Sequence, residues 1–298
     1  MTQLLTAQTQ APPRSEPNQP QATAPAAAGR PPIQTKSKEE FQAYQVAISN
    51  SLNPEAMEKA ADDFAAKFPT SEVRALLYRA AMASYQSIGN SQKMMDMGLK
   101  VLSIDKDDPE ALVGVAEVLE EHTAPTDLDR QQRGQQAIEY ADRALKGVDT
   151  KLAVPAGTAP ERVESYKKYL RATAYGIIGS IYYRQEDYAA AETNLRDSIN
   201  ADPEHPDAVT VLRLTLALDQ QKKYSDALQQ ANRAVELTKE DADIGRMARN
   251  ERDRLVAQVA ANTPLASPAA SPAMPPGSAQ PQNSVPTGAT SQDSAPKH

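Results

Sequence analysis

The 298-residue sequence contains no cysteine and no tryptophan, and only three phenylalanines and three histidines. The lack of cysteine excludes disulfide bonds, thiolate metal sites and thiol catalysis. The net charge of −7, without a long basic run, argues against nucleic acid as the main partner. No stretch approaches the roughly 18 consecutive apolar residues of a membrane-spanning helix, so the sequence predicts no transmembrane segment.

Motifs of the common enzyme classes are missing as well. The sequence has no glycine-rich dinucleotide or phosphate loop, no His-Glu-x-x-His and no Gly-x-Ser-x-Gly. His122 and His205 fall in predicted loops, and the acidic run 105–110 lacks the turn glycine and the final glutamate of an EF-hand. We therefore predict a protein that is not an enzyme, with no metal site and no bound cofactor.

Proline is abundant but unevenly distributed. Seven of the 23 prolines lie before residue 33 and eight lie after residue 263. The flanking segments, 1–35 and 262–298, are rich in Pro, Ala, Gln and Ser, and they contain too little apolar surface to offset the entropy lost on ordering. We predict that both segments are disordered and that residues 36–261 fold.

The first residues leave two interpretations of the compartment open. The start, MTQLLTAQTQAPP, has neither a basic segment nor an apolar stretch of about 7–15 residues, so it is not an intact signal peptide. Residues 4–7, Leu-Leu-Thr-Ala followed by a Pro/Gln-rich linker, are nevertheless similar to the end of one. The protein is expected in the cytoplasm if this start is correct, and in the periplasm or cell envelope if an upstream signal peptide has been missed.

A repeat with a period of 34 residues runs through the middle of the chain. Its clearest unit, 172–205, has apolar residues at helical spacing in both halves, a polar break at 185–187, and Asp202-Pro203 at its end. This pattern predicts two amphipathic helices joined by a tight turn. Windows that start at residues 41, 75, 109 and 208 fit the same unit.

These units resemble the tetratricopeptide repeat (TPR), whose pattern places aromatic, Leu-Gly, Tyr, Ala, Phe, Ala and Pro residues at fixed offsets. In the unit 172–205 the matching residues are Tyr175, Ile178, Gly179, Tyr182, Ala191, Leu195 and Pro203. The small residue Gly179 is expected where the two helices of the hairpin cross closely. The folded part as a whole is similar to bacterial TPR proteins with Pro/Ala-rich flanks.

The resemblance implies an all-α, right-handed solenoid of about five helix-turn-helix repeats followed by a capping helix. We expect the repeats at 41–74, 75–108, 109–151, 172–205 and 208–241, and the cap at 242–261. One insertion near residues 122–130 separates the helices of the third repeat. Another, 152–171, separates repeats three and four. Its first half is predicted as a loop, and its second half as a helix that starts after Pro160 and continues to about Arg184.

In the TPR family the first helix of each repeat lines a concave groove that binds peptides or partner helices. The resemblance places the following residues of this chain in that groove: Arg79, Gln86, Glu117, Glu121, Ser180, Tyr183, Arg184, Leu212 and Leu216. Glu117, Glu120 and Glu121 are expected to form an acidic step. Tyr183, Leu212 and Leu216 are expected to form an aromatic and aliphatic patch of the kind found at binding hot spots.

The clamp with which TPR co-chaperones grip an acidic C-terminal tail is absent. The corresponding positions hold Gln45, Ser49, Ala80 and Gly114 in place of Lys, Asn and Arg. A groove with three glutamates is therefore expected to accept a neutral or basic ligand.

The sequence thus predicts a non-catalytic scaffold that binds a peptide or a partner protein in the concave groove. Two alternatives stay open at this point. One is an adaptor for cell-envelope or secretion assembly, if a signal peptide is missing from the start. The other is a structural or regulatory subunit of a larger complex. The identity of the partner is not encoded in any recognisable motif.

Overall fold

The computed structural model of the chain describes residues 30–122, 126–238 and 243–262. The predicted tails lie outside these residues, except for residues 30–35 and Asn262. Contacts divide the chain into two units, Met1–Ala260 and Ala261–His298.

Apart from one isolated bridge between Ile33 and Pro155, the described part of the chain has only helices as regular structure. The helices are α1 (Lys38–Ile48), α2 (Pro54–Lys67), α3 (Val73–Ser87), α4 (Ser91–Ile104), α5 (Pro109–Glu121), α6 (Arg130–Gly147), α7 (Pro160–Arg184), α8 (Tyr188–Ala201), α9 (Ala208–Gln220), α10 (Tyr224–Leu237) and α11 (Asp243–Asn262).

Side chains that precede the helices explain where most of them begin. Six helices have an N-cap residue whose side-chain oxygen accepts a hydrogen bond from the first turn, namely Ser37, Asn53, Asn90, Asp108, Asp187 and Asp207. Proline occupies the first position of α2, α5 and α7, where its missing N–H leaves no intrahelical bond unmade.

Three hairpins close with the same tight turn. The second turn residue is Gly89, Glu186 or Lys222, and each has a positive φ of 60–68°. The amide of the next residue donates to the carbonyl five residues earlier, at 3.0 Å in all three turns, as in a Schellman motif. Because Glu186 and Lys222 carry a Cβ, each left-handed conformation costs roughly 1–2 kcal/mol. Packing of the two helices offsets this strain.

The helices pair as five successive hairpins that stack on one another. The first helices of neighbouring hairpins contact each other directly, so that α1, α3, α5, α7 and α9 form one continuous face, here called the inner face. Within the α7–α8 hairpin a Cβ added to Gly179 would lie 2.7 Å from Leu195 Cγ and 3.1 Å from its backbone nitrogen. Only glycine allows this approach. The predicted all-α solenoid of five hairpins is confirmed.

Three apolar clusters form the core along the stack. The first joins α1–α4, the second joins α5, α6 and α7, and the third joins α8–α11. Ala248 and Leu255 of α11 belong to the third cluster and are fully buried. This helix therefore covers the apolar end that the last hairpin would otherwise expose, as a capping helix does.

Residues 30–35, assigned to the disordered N-terminal segment from composition, are part of the folded unit. Ile33 is 7% exposed, and its amide donates to the carbonyl of Val154 at 3.2 Å. Arg30 forms ion pairs with Glu72 and Asp105. Local composition carries no information about these contacts, because the partners of the segment, Glu72, Asp105 and Val154, lie far along the chain.

Candidate protein-binding groove

Arg79, expected at one end of the groove, is buried inside the molecule. It is 5% exposed, and its Nη1 lies 2.9 Å from Glu110 Oε2 and 3.6 Å from Asp108 Oδ2. Its Nη2 donates to the carbonyl of Ala153 at 2.6 Å. Burial raises the pKa of Glu110 although Arg79 opposes the shift. The guanidinium therefore links the second insertion to α3 and α5.

The second insertion covers the inner face of α3 and the start of α5. Its loop, 152–159, lies over Arg79, and Ile33 pairs with the loop from the other side. The hydroxyl of Tyr166 lies within hydrogen-bonding reach of Glu110, and Gln86 lies within hydrogen-bonding reach of Tyr169 on the next turn of α7. The rings of Tyr166 and Tyr169 stack at 6.0 Å. This part of the inner face is thus occupied by the chain itself, over a cavity of about 570 Å³.

The inner face is open farther along, between α5, α7 and α9. A cavity of about 440 Å³ lies there, and we call it the open groove. Its lining residues are Glu117, Glu120, Glu121, Tyr169, Ala172, Thr173, Gly176, Ile177, Ser180, Ser198, Asp202, His205, Pro206, Asp207, Val209, Thr210 and Arg213. Of the residues predicted for the concave groove, it brings together Glu117, Glu121 and Ser180.

Glu117 stands at the border between the covered and the open parts. Its Oε2 accepts a hydrogen bond from Gln86 Nε2 at 3.1 Å. Burial, together with the carboxylates of Glu121 and Glu120, raises the pKa of Glu117 to about 7. This carboxyl group gains or loses its charge near neutral pH, whereas an exposed glutamate is ionised there.

Arg184 neutralises the most deeply buried of the three glutamates. Its Nη1 forms an ion pair with Glu120 Oε1 at a distance of 2.8 Å. Glu120 is only 6% exposed, so this pairing offsets the desolvation of its carboxylate. Arg184 is therefore held by the protein, and the acidic step that faces the groove consists of Glu117 and Glu121.

Arg213 of α9 is a groove residue that sequence reasoning missed. Its Nη1 donates to Ser180 Oγ at 2.7 Å, and that hydroxyl in turn donates to the carbonyl of Gly176 at 2.7 Å. Throughout the described parts of the chain, no carboxylate lies within ion-pair distance of Arg213. Ser180 is 2% exposed, so it acts mainly as the support that fixes this guanidinium beside the groove.

The predicted aromatic and aliphatic patch lies apart from the open groove. Leu212 is 4% exposed and belongs to the core of the last hairpins. Tyr183 packs edge-on against Tyr188, with ring centroids 5.6 Å apart, and Leu216 is half-buried. None of these side chains lines the 440 Å³ cavity.

One group of side chains has metal-ligand atoms close together. The ligating atoms of Asp202, Glu204 and His205 lie within 4.8 Å of one another, at the connection between α8 and α9. Glu204 and His205 are exposed, and His205 Nδ1 lies 3.3 Å from Asp202. Such exposed clusters are common without an ion. Among the described helices, none is both long and apolar enough to cross a membrane.

Comparison with known proteins shows that the second half of the stack matches a protein family. A family profile described as tetratricopeptide repeat matches residues 163–240, the region of α7–α10. Residues 163–240 carry tetratricopeptide repeats. The resemblance drawn from the 34-residue period is confirmed. TPR proteins are generally non-catalytic, and the hairpin stack gives this chain the form of a repeat scaffold for protein interaction.

Solved TPR structures are similar to this chain in their general trace. PilF of Pseudomonas aeruginosa is 17% identical, with 74% of this chain and 90% of that chain covered and a TM-score of 0.49. MamA of Desulfovibrio magneticus is 12% identical, with 70% and 100% covered and a TM-score of 0.48. A TPR protein of Thermus thermophilus is 13% identical, with 74% and 99% covered and a TM-score of 0.43. No curated protein sequence matches the chain significantly.

Proposed function

We propose that this TPR protein is a non-catalytic scaffold that holds a peptide, or an extended segment of a partner protein, in the open groove. The observation that supports the proposal is the division of the inner face. The chain covers the part over α3 with its own loop, 152–159, beside a cavity of about 570 Å³, and leaves a second cavity of about 440 Å³ between α5, α7 and α9. The volume of this second cavity lies within the range of ligand sites, about 300–1,000 Å³, and the lining is an even mixture of polar and apolar surface.

The composition of the open groove fits a peptide. Tyr169 and Val209 provide apolar contact surface, and Tyr169 is 47% exposed even though its ring stacks on Tyr166. Glu117, Glu121 and Arg213 provide charged groups that select among side chains. The proposed site does not include Arg79, which forms a buried ion pair, or Leu212, which belongs to the core.

The test is a selection of binding peptides from a random phage-displayed library on the full chain. A Thr173→Trp variant fills the open groove from α7. Thr193→Trp on α8 is the matched control, because both threonines donate to the carbonyl four residues earlier, at 3.0 and 3.1 Å, but only Thr173 lines the groove.

We expect the selected peptides to bind the wild-type chain and Thr193→Trp equally, and to lose at least tenfold in affinity for Thr173→Trp. Peptides that bind all three proteins alike would place binding elsewhere and contradict the proposal. A selection that yields no binder would favour a structural role for the chain.

A further inference from the structure

The charged side chains of the open groove differ in whether they form ion pairs or hydrogen bonds that hold the fold. Glu120 is paired with Arg184. Asp207 caps α9, where its Oδ2 accepts bonds from the Thr210 amide at 2.7 Å and from the Thr210 hydroxyl at 2.8 Å. These two carboxylates are engaged in holding the fold.

Asp202 lies 3.3 Å from His205 Nδ1, so Glu117 and Glu121 are the two carboxylates that remain for a ligand. They lie four residues apart on α5, so both side chains project from the same face of the helix. Across residues 30–122, 126–238 and 243–262, neither forms an ion pair with lysine or arginine. Among the described residues, the hydrogen-bond donor to Glu117 is the neutral amide of Gln86. Two carboxylates that repel each other in a partly desolvated groove gain from a cation placed between them.

The surroundings favour a long basic side chain over a small cation. Tyr169 lines the same cavity, and its half-exposed ring offers a cation–π face. Ala172 and Val209, partly exposed in the same lining, provide apolar surface on which the methylene stem of a lysine or arginine can lie. Arg213 is the one arginine of the cavity lining, against five carboxylates. The potential of the groove is therefore negative, and an acidic segment would be repelled.

Resting on the proposed function, we propose that the open groove binds a basic partner segment, with a lysine or arginine side chain inserted between Glu117 and Glu121. The partner is thus a protein or peptide with an exposed basic stretch. Arg213, fixed by Ser180, limits the depth to which a second basic residue enters.

The proposal predicts that the removal of acidic side chains from the groove weakens the binding of basic peptides, whereas the removal of its basic side chain does not. The probes are three synthetic pools of otherwise random 12-residue peptides with lysine, glutamine or glutamate fixed at the centre, and retention is measured on the full chain. We expect the lysine pool to be retained about fivefold or more above the other two. Glu117→Gln combined with Glu121→Gln should remove this preference, whereas Arg213→Gln should preserve or increase it.

Two controls separate the groove from the overall charge of the protein. Glu139→Gln combined with Asp142→Asn removes two exposed carboxylates from α6 and should leave the lysine preference unchanged. A preference for the glutamate pool, or a lysine preference that survives loss of Glu117 and Glu121, would overturn this inference. If a glutamine or glutamate pool is retained and Thr173→Trp abolishes its retention, only the basic specificity is refuted. If Thr173→Trp changes no pool, the proposed function fails too.

Discussion

Replacement of Glu117 by glutamine should stabilise the chain at neutral pH and have little effect at pH 4.5. Below that pH the side chain is neutral in both the folded and the unfolded chain. Between pH 4.5 and about 7 the unfolded chain loses the proton, while the folded chain keeps it because burial, Glu121 and Glu120 disfavour the charge. The wild-type protein therefore loses stability as the pH rises through this window.

The size of the effect follows from the two pKa values. A rise from 4.5 to about 7 corresponds to at most about 3 kcal/mol at pH 8. Because Glu117 keeps some contact with solvent, we expect about 1–2 kcal/mol. Glutamine retains an oxygen that can accept the hydrogen bond from Gln86, so the local geometry is preserved.

Urea denaturation followed by far-UV circular dichroism at pH 5, 6, 7 and 8 measures this difference. The control is Glu139→Gln, which removes one exposed carboxylate from α6. The advantage of Glu117→Gln should increase steadily with pH. An advantage of the same size at every pH, or an equal one in the control, would refute the reasoning.

Three further predictions concern packing. Gly179→Ala should lower the free energy of unfolding in chemical denaturation by about 1–3 kcal/mol, because the added Cβ has no room. Gly176→Ala on the same helix is the control: its added Cβ would lie 3.4 Å from the nearest atom, and it should raise the free energy of unfolding by about 0.5 kcal/mol. Arg79→Met should lower the free energy of unfolding by about 3–5 kcal/mol in the same assay, because Asp108 and Glu110 lose their cation. An unchanged denaturation midpoint would show that the ion pair is not formed. Ile33→Asp should raise hydrogen exchange at 152–159 by about tenfold and leave α9 unchanged, and equal protection in both proteins would contradict the docking of this segment.

Much of the fold follows from regularities that a sequence shows directly. The small residue Gly179, the capping residue Asp187 and the helix-starting Pro160 each express a local requirement, and together they predict the hairpins and the long helix α7. The resemblance to the tetratricopeptide repeat also predicted an acidic step on α5, formed by Glu117, Glu120 and Glu121.

The occupied half of the inner face was beyond such reasoning, because it depends on an insertion that folds back onto earlier repeats. One signal was nevertheless present. Residues 31–33 apart touch across neighbouring hairpins, as in Arg79 with Glu110 (31 apart), Gln86 with Glu117 (31 apart) and Arg213 with Ser180 (33 apart). A search for complementary side chains at this separation would have paired Arg79 and found Arg213.

The docking of the second insertion changes how the repeat array should come apart. In a simple array each repeat touches only its neighbours, so fraying begins at either end. Here the bond from Arg79 to Ala153 joins residues 74 apart, and Ile33 ties the first hairpin to the same loop. These contacts raise the contact order of the first three hairpins and should slow their folding. We expect α1–α7 to melt as one cooperative block, while α9–α11 fray independently.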